Sequence, residues 1–385
     1  MKNRISSSAK SVPPSGIRKF FEMVLGMPDV ISLGVGEPDF ETPWHIREAT
    51  IYSLEQGYTM YTSNYGLMEL REEISSNFAK KNSLLYSPES EVLITTGVSE
   101  GYDLAIRALV NRGDEVIIPE PSYVSYKPCV VFASGSPVQV ATFAKDEFKI
   151  TPEQLKTAIT EKSKVLVLNY PNNPTGATMT KKDLEEIADV VTDHDLLVIS
   201  DEIYGMLTYN GPHTTFSSLN GMKERTVILD GFSKAYAMTG LRIGYSLAPE
   251  DITEAMMKVH QYTMLCAPIT GQIAAIEALK SGYNETETMK REYNRRRKVI
   301  VKRLNKMGLE CPEPKGAFYA FPSIKSTGLS SEEFATQLLK KENVAVVPGT
   351  AFGNCGEGHI RCSYATSIDT LKTALDKIEK FIGYI

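Results

Sequence analysis

The sequence predicts an α/β chain built on a doubly wound, mainly parallel sheet, and three observations carry that prediction. Short apolar runs rich in Val and Ile recur from about Glu91, as strands covered on both faces require. Segments with helical periodicity separate several of them, and a helix between two strands makes their connection parallel. No period of 20 to 50 residues repeats, which disfavours solenoids and propellers. At ~150 residues per domain, a chain of 385 residues has room for two or three domains.

Taken in order, EVLITT, DEVIIPE, SPVQVAT, KVLVLNY, LLVISD, TVILDG and IGYSLAP read as strands. After the first, Tyr102, Ala105, Ile106 and Leu109 fall on one helical face, with Asp103 and Arg107 opposite. A second helix opens at Thr180, which can cap with Asp183, and its stripe is Leu184, Ile187, Ala188 and Val191. Together these elements predict a large unit over residues 44–280. Beyond it come the charged helical stretch MKREYNRRRKVIVKRL, then GAFYAFPSI, a helix capped by Ser330 with Glu333, VAVVPG and HIRCSY. A last helix carries Leu371, Ala374, Leu375 and Ile378 in one stripe. That alternation predicts a smaller α/β domain made from both chain ends, residues 1–43 and 281–385. The run Arg295-Arg296-Arg297-Lys298 lies beside Glu292 on a helical pattern and reads as a solvated face.

Composition removes several functions. Forty-seven acidic against 42 basic residues give a net charge of −5, which offers no general attraction to nucleic acid or anionic lipid. The five cysteines, Cys129, Cys266, Cys311, Cys355 and Cys362, form no CxxC pair, so a reduced, cytoplasmic setting is expected. The first residues, MKNRISSSAKSVPPSG, lack the apolar core of a signal peptide, and no stretch approaches ~18 apolar residues. The five histidines are too dispersed to suggest a metal site. GxxxxGK[ST], HExxH and GxSxG are absent, and GVGEPD puts Asp39 where a dinucleotide fingerprint has its third glycine.

Chemistry is therefore sought at the carboxyl ends of the strands, where open α/β sheets bind ligands. LLVIS runs into Asp201-Glu202-Ile203-Tyr204, placing a carboxylate at a strand end and a phenol three residues on. KVLVLNY runs into PNNPTG, whose tight turn presents Asn173, and TVILDG into Phe232-Ser233-Lys234, with Arg242 eight residues past the lysine. EVLITTG opens a helix at Gly97, Val98 and Ser99, where free N–H groups and the macrodipole favour a phosphate. An anion cradle, a lysine, a carboxylate, a phenol and an amide are the parts of a pyridoxal phosphate site, although each alone also serves as a cap or a solvated group.

The string Ser233-Lys234-Ala235-Tyr236-Ala237-Met238-Thr239-Gly240-Leu241-Arg242-Ile243-Gly244-Tyr245 resembles the lysine-attachment signature of the class I aminotransferases, the fold-type I pyridoxal phosphate family. GVGEPDF, YTSNYGLMELR, PNNPTG and DEIY are further family motifs in the family's order, and with IRCSYA they span Gly34 to Arg361. GAFYAFP, VVPGTAFG and IRCSYA are similar to archaeal and bacterial members acting on aspartate or aromatic amino acids.

The resemblance implies a role for each matching position. Lys234 corresponds to the Schiff-base lysine that shuttles the substrate proton, and Asp201 to the partner of the pyridine nitrogen. Tyr204 and Asn173 correspond to the donors to the ring's phenolic oxygen, and Tyr123 to the aromatic stacked on the ring. Val98, Ser99 and Arg242 correspond to the phosphate site. Many members carry a serine three residues before the lysine, where this chain has Gly231, and Ser233 is expected to supply the hydroxyl instead. Arg361 resembles the arginine that holds the substrate carboxylate through its planar fork, with Asn173 and the Gly36 backbone assisting. Tyr61 corresponds to a tyrosine that reaches the phosphate across a subunit boundary, which implies a homodimer.

The expected activity is a ping-pong transfer of the amino group of an aromatic amino acid or aspartate to a 2-oxo acid, 2-oxoglutarate foremost. No lysine stands near Ser99 to grip a distal carboxylate, which favours an aromatic donor unless an arginine of the N-terminal SGIRKF segment turns in. The alternatives are a pyridoxal phosphate lyase or synthase on the same fold, or another donor such as alanine.

Overall fold

The computed structural model describes residues 4–17, 27 and 29–385. After the short strand β1 (Ile31–Ser32), each predicted apolar run becomes a strand of one sheet. These are β2 (Val92–Thr95), β3 (Glu115–Glu120), β4 (Ser136–Ala141), β5 (Ser163–Asn169), β6 (Leu197–Asp201), β7 (Thr226–Gly231) and β8 (Gly244–Leu247). Their order across the sheet is β2-β8-β7-β6-β5-β3-β4. The pairs from β4 through β3, β5 and β6 to β7 are all parallel.

One strand departs from the parallel expectation. The IGYSLAP run forms β8, which pairs antiparallel with both β7 and β2. The segment 232–243 before it holds a single 3-10 turn and no α-helix, so nothing carries the chain back across the sheet to start a parallel strand. That helix-free segment is the one that bears Lys234.

Both faces of the sheet are covered, as continuous apolar strands demand. Ile117, Leu166 and Val198 pack into one core, while Val116, Val165, Val167 and Ile199 pack into another. Burying each such side chain contributes ~1.5–3 kcal/mol. The helix Val98–Leu109 buries Tyr102, Ala105, Ile106 and Leu109, and pairs Arg107 with Asp103 at 2.7 Å on the other face. Capping boxes begin the helices Lys181–Asp193, through Thr180 and Asp183, and Ser331–Glu342, through Ser330 and Glu333.

The remaining strands are β9 (Tyr319–Ala320), β10 (Val344–Ala345), β11 (Val347–Pro348) and β12 (Ile360–Ser363). β12 lies between β11 and β9, antiparallel to both, and β1 pairs in parallel with β10, which ties the start of the chain to its end. Leu371, Ala374, Leu375 and Ile378 of the helix Ile368–Ile382 are buried in this second core. Ile203, Tyr204 and Leu207, which follow β6, join the same core. The ends of the main sheet thus reach directly into the second layer.

The basic run is a solvated face only in part. Arg295 and Lys298 are exposed, but Arg296 and Arg297 are only 5% and 2% exposed. Arg296 bonds both oxygens of Asp39, at 2.8 and 2.9 Å, and Glu292 at 3.1 Å, while Arg297 donates to the Pro314 carbonyl at 2.6 Å. The helix Tyr283–Lys306 explains this, because Met289, Tyr293, Arg296, Arg297, Ile300 and Leu304 share its buried stripe. Consecutive helical residues point ~100° apart, so a run of four must turn some of its members inward. Among the described residues, no helix is long and apolar enough to cross a membrane, and no cluster suited to a metal ion occurs.

Candidate active site

The carboxyl ends of β5, β6 and β7 bring the chemistry together. Asn169 and Asp201 are register partners at the ends of β5 and β6, and Asn169 Nδ2 donates to the Asp201 carbonyl at 3.1 Å. The Asn169 side-chain oxygen then accepts from the Asn173 N–H at 3.1 Å, which orients the turn after β5. Asp201 is buried, and its two oxygens accept from Tyr126 Oη at 2.6 Å and the Ile203 N–H at 3.2 Å. Burial pushes its pKa up to about 6, against the pull of those two hydrogen bonds.

Lys234 approaches from the segment after β7. Its Nζ donates to the Gly36 carbonyl at 2.6 Å. Burial lowers its pKa to about 8; Glu37 opposes that shift, while Arg361 and Arg242 reinforce it. An amine so placed gives up its proton far more readily than an ordinary lysine, and its neutral form is what acts as a nucleophile or proton carrier.

Arg361, on β12, is fully buried. Nη1 donates to Asn173 Oδ1 at 2.9 Å and Nη2 to the Gly34 carbonyl at 2.5 Å. Its guanidinium lies over the Tyr319 and Phe352 rings, with centroids 4.5 and 4.8 Å away, so the fork is fixed in plane. Of the two glycine carbonyls, that of Gly34 accepts from Arg361 and that of Gly36 from Lys234. Tyr204 is buried, and its Oη hydrogen-bonds Tyr319 Oη at 2.8 Å. Tyr319 also presses on Gly36, where a Cβ would come within 2.5 Å of the phenol oxygen.

The predicted anion cradle lies at the head of the helix Val98–Leu109. Gly97 has a φ of +79°, and a Cβ there would lie 2.5 Å from Arg242 Nη2, so only glycine admits the guanidinium so close. Arg242 itself has a φ of +53° and donates to the Thr239 carbonyl at 3.0 Å. Val98 and Ser99 head the helix, where no preceding turn supplies acceptors for their N–H groups. Gly231 explains the missing serine, since a Cβ would stand 2.9 Å from Gly244 Cα and 3.0 Å from the Ile243 carbonyl. Ser233 is buried beside Lys234.

Tyr123 meets Tyr126, whose phenol bonds Asp201, edge to face, with ring centroids 5.7 Å apart. One predicted residue stands apart. Tyr61 is 79% exposed and does not enter this chain's own site. Sequence reasoning passed over Tyr126, Asn169 and Tyr319, each within a quoted string (PEPSYVSY, KVLVLNY and GAFYAFP) but indistinguishable there from core residues. Arg18, the cation offered by SGIRKF, lies outside the described residues.

Residues 28–378 match the family described as aminotransferase class I and II. The chain is 48% identical to the aspartate aminotransferase of Pyrococcus abyssi, over 96% of each chain. It is 45% identical to aromatic-amino-acid aminotransferase 2 of Thermococcus litoralis, over 98% of each. The crystal structure of an aromatic aminotransferase from Pyrococcus horikoshii superposes with a TM-score of 0.91 at 46% identity, covering 96% of this chain and 99% of that one.

Proposed function

The chain belongs to the class I and II aminotransferases, pyridoxal phosphate enzymes that pass amino groups between amino acids and 2-oxo acids, and from that premise we propose its site assignments, donor preference and assembly. The observation that carries the assignments is Lys234 Nζ, half-buried at the strand ends, its pKa lowered, and held 2.6 Å from the Gly36 carbonyl.

The residues fit the cofactor. Thr96 Oγ1 is a buried oxygen with no partner among the described residues, beside a cradle that a Cβ on Gly97 would fill. The Val98 and Ser99 N–H groups, Arg242 and Ser233 would hold its phosphate, and Tyr123 would lie against its ring. Asp201 would keep the ring nitrogen protonated, and a cation there would lower the carboxyl pKa that burial and the neighbouring Glu202 have raised. Tyr204 and Asn173 would donate to the ring oxygen. When bound, the cofactor supplies an electron sink for the carbanion formed at the substrate Cα.

The chain's own residues do the rest. Arg361 takes the substrate carboxylate on its fork, which orients the Cα–H toward Lys234 Nζ. Lys234 Nζ accepts that proton and returns it, a role its lowered pKa suits. The charged groups acting on Lys234 are Glu37, Arg361, Arg242 and Asp201. With Arg361 on the substrate carboxylate and Arg242 on the phosphate, neither is left for a distal carboxylate, and Ser99 stands where a cation would help. We therefore rank aromatic donors ahead of aspartate, with 2-oxoglutarate as the acceptor. Steady-state kinetics with tyrosine, phenylalanine, aspartate and alanine test this: kcat/KM for the aromatic donors should exceed that for aspartate by about tenfold. A higher value for aspartate reverses the ranking, and pyruvate or ammonia release without an oxo acid replaces transamination by lyase chemistry.

A homodimer is proposed because Tyr61 shares an exposed apolar surface with Met60, Tyr58 and Tyr262. The loop carrying Tyr58, Met60 and Tyr61 is joined to the turn after the helix Glu250–Thr263, which carries Tyr262, by Asn64 Nδ2 donating to the Leu265 carbonyl at 2.7 Å. A second copy would cover that surface and bring Tyr61 to the opposite site; sedimentation at the mass of one chain refutes it. A cytoplasmic setting is supported by the five free cysteines and is tested by cell fractionation. The division into residues 44–280 and residues 1–43 with 281–385 rests on sheet membership, since all seven strands of the main sheet fall within the former; limited proteolysis that cuts first inside 92–247 would refute it.

A further inference from the structure

The loop that carries the anion cradle is held from beneath by a hydrogen-bonded carboxylate and imidazole. Glu100, in the first turn of the helix Val98–Leu109, turns its carboxylate back, and one oxygen accepts from the Thr96 N–H. The other oxygen lies 2.7 Å from Nδ1 of His260. His260 comes from the last turn of the helix Glu250–Thr263, its side chain is wholly buried, and its Nε2 has no partner among the described residues. The same loop is held from its open side by Arg242, whose Nη2 donates to the Thr96 carbonyl at 3.5 Å. Within it, Thr95 Oγ1 donates to the Gly97 carbonyl at 3.0 Å.

Such a carboxylate creates a conflict. A negative charge in the first helical turn suits the helix dipole, but it opposes a dianionic ligand at the same N-terminus. His260 meets that conflict by its position: it sits in the last turn of its helix, and its Nδ1 faces the Glu100 carboxylate at hydrogen-bond distance.

We propose that His260 and Glu100 are positioning residues for the cofactor phosphate: Glu100 fixes the Thr96–Ser99 loop, and His260 neutralises it so that the helix N-terminus stays electropositive. The proposal rests on the reading of Val98, Ser99 and Arg242 as the phosphate site. Neither residue touches the reacting atoms, so the pair acts on affinity for the phosphate group.

The experiment titrates the apoprotein with pyridoxal phosphate and, separately, with pyridoxal, which lacks the phosphate. His260→Gln should weaken pyridoxal phosphate by about tenfold, the effect of one charge at a partly buried helix terminus, and leave pyridoxal within about twofold. The double variant E100Q/H260Q should recover affinity to within about threefold of the parent, since it removes the carboxylate charge that His260 balanced. Equal weakening of both ligands, no weakening of pyridoxal phosphate, or failure of the double variant to recover overturns the proposal. Should His260→Gln not fold, Glu100→Gln alone decides: it keeps the bond from Thr96 and should bind pyridoxal phosphate at least as tightly as the parent, and a tenfold loss overturns the charge-balancing role. Arg242→Gln separates the two levels, because unchanged phosphate-dependent affinity there refutes the phosphate site itself, whereas a loss there with none at His260 refutes only the pair.

Discussion

Asp201 and Glu202 are adjacent in sequence and both 4% exposed, yet they end in opposite environments. Asp201 faces the site with Tyr126 and the Ile203 N–H on its oxygens, and burial raises its pKa to about 6. Glu202 turns to the other side of the sheet and is saturated: one oxygen accepts from Ser200, Thr215 and the Phe216 N–H, and the other pairs with His213 at 2.7 Å. Burial works against the charge on His213, but the Glu202 carboxylate overcomes it and holds the imidazole above its ordinary range. Two buried carboxylates one residue apart thus differ in what they lack. Glu202 has every bond it needs and serves the fold. Asp201 lacks a cation, which the ring nitrogen of the cofactor would supply.

Three measurements break or sharpen that contrast. The largest effect belongs on the open side: Lys234→Ala should lower turnover by about 10³-fold or more, the size of a lost proton carrier, and should abolish the visible absorbance of protein-linked cofactor. Retained absorbance with full turnover would remove Lys234 from the chemistry. On the closed side, Glu202→Ala should cost about 3 kcal/mol of unfolding free energy in denaturant titrations, because it leaves His213 and the hydroxyl donors without their buried acceptor. Wild-type stability in that variant would mean that the network is not structural. The smallest effect is a pH dependence. With the Lys234 pKa lowered to about 8, the neutral amine is the minority form below pH 8 and the majority form above it. Capture of pyridoxal phosphate by the apoprotein should therefore speed up about tenfold from pH 7 to a plateau above pH 9. A rate still rising in the ordinary lysine range would show that burial does not tune this amine.

Much of the site is legible in the sequence because it is carried by local strings. PNNPTG, DEIY and the SKAYAMTGLR segment each follow an apolar strand, so their residues had to gather at one edge of the sheet. Other members are not legible in this way. Tyr126 reaches Asp201 across 75 positions of sequence, and Tyr319 reaches Tyr204 across 115, so nothing local marks them. The misreading of Arg296 and Arg297 has the same origin: charge suggested solvent, while the helical stripe from Met289 to Leu304 had already turned both inward toward Asp39 and Pro314.

The strands, the capped helices, the family and most of the residues proposed to meet the cofactor were legible in the sequence alone, because patterning and local motifs are written in neighbouring residues. Tertiary structure decided the rest. It reversed β8, buried two arginines, assigned the Gly34 carbonyl to Arg361 and the Gly36 carbonyl to Lys234, and set His260 beneath the start of the helix Val98–Leu109. Each of these outcomes depends on which distant groups share a low-dielectric interior, and burial there demands a partner for every charge, wherever in the chain that partner lies.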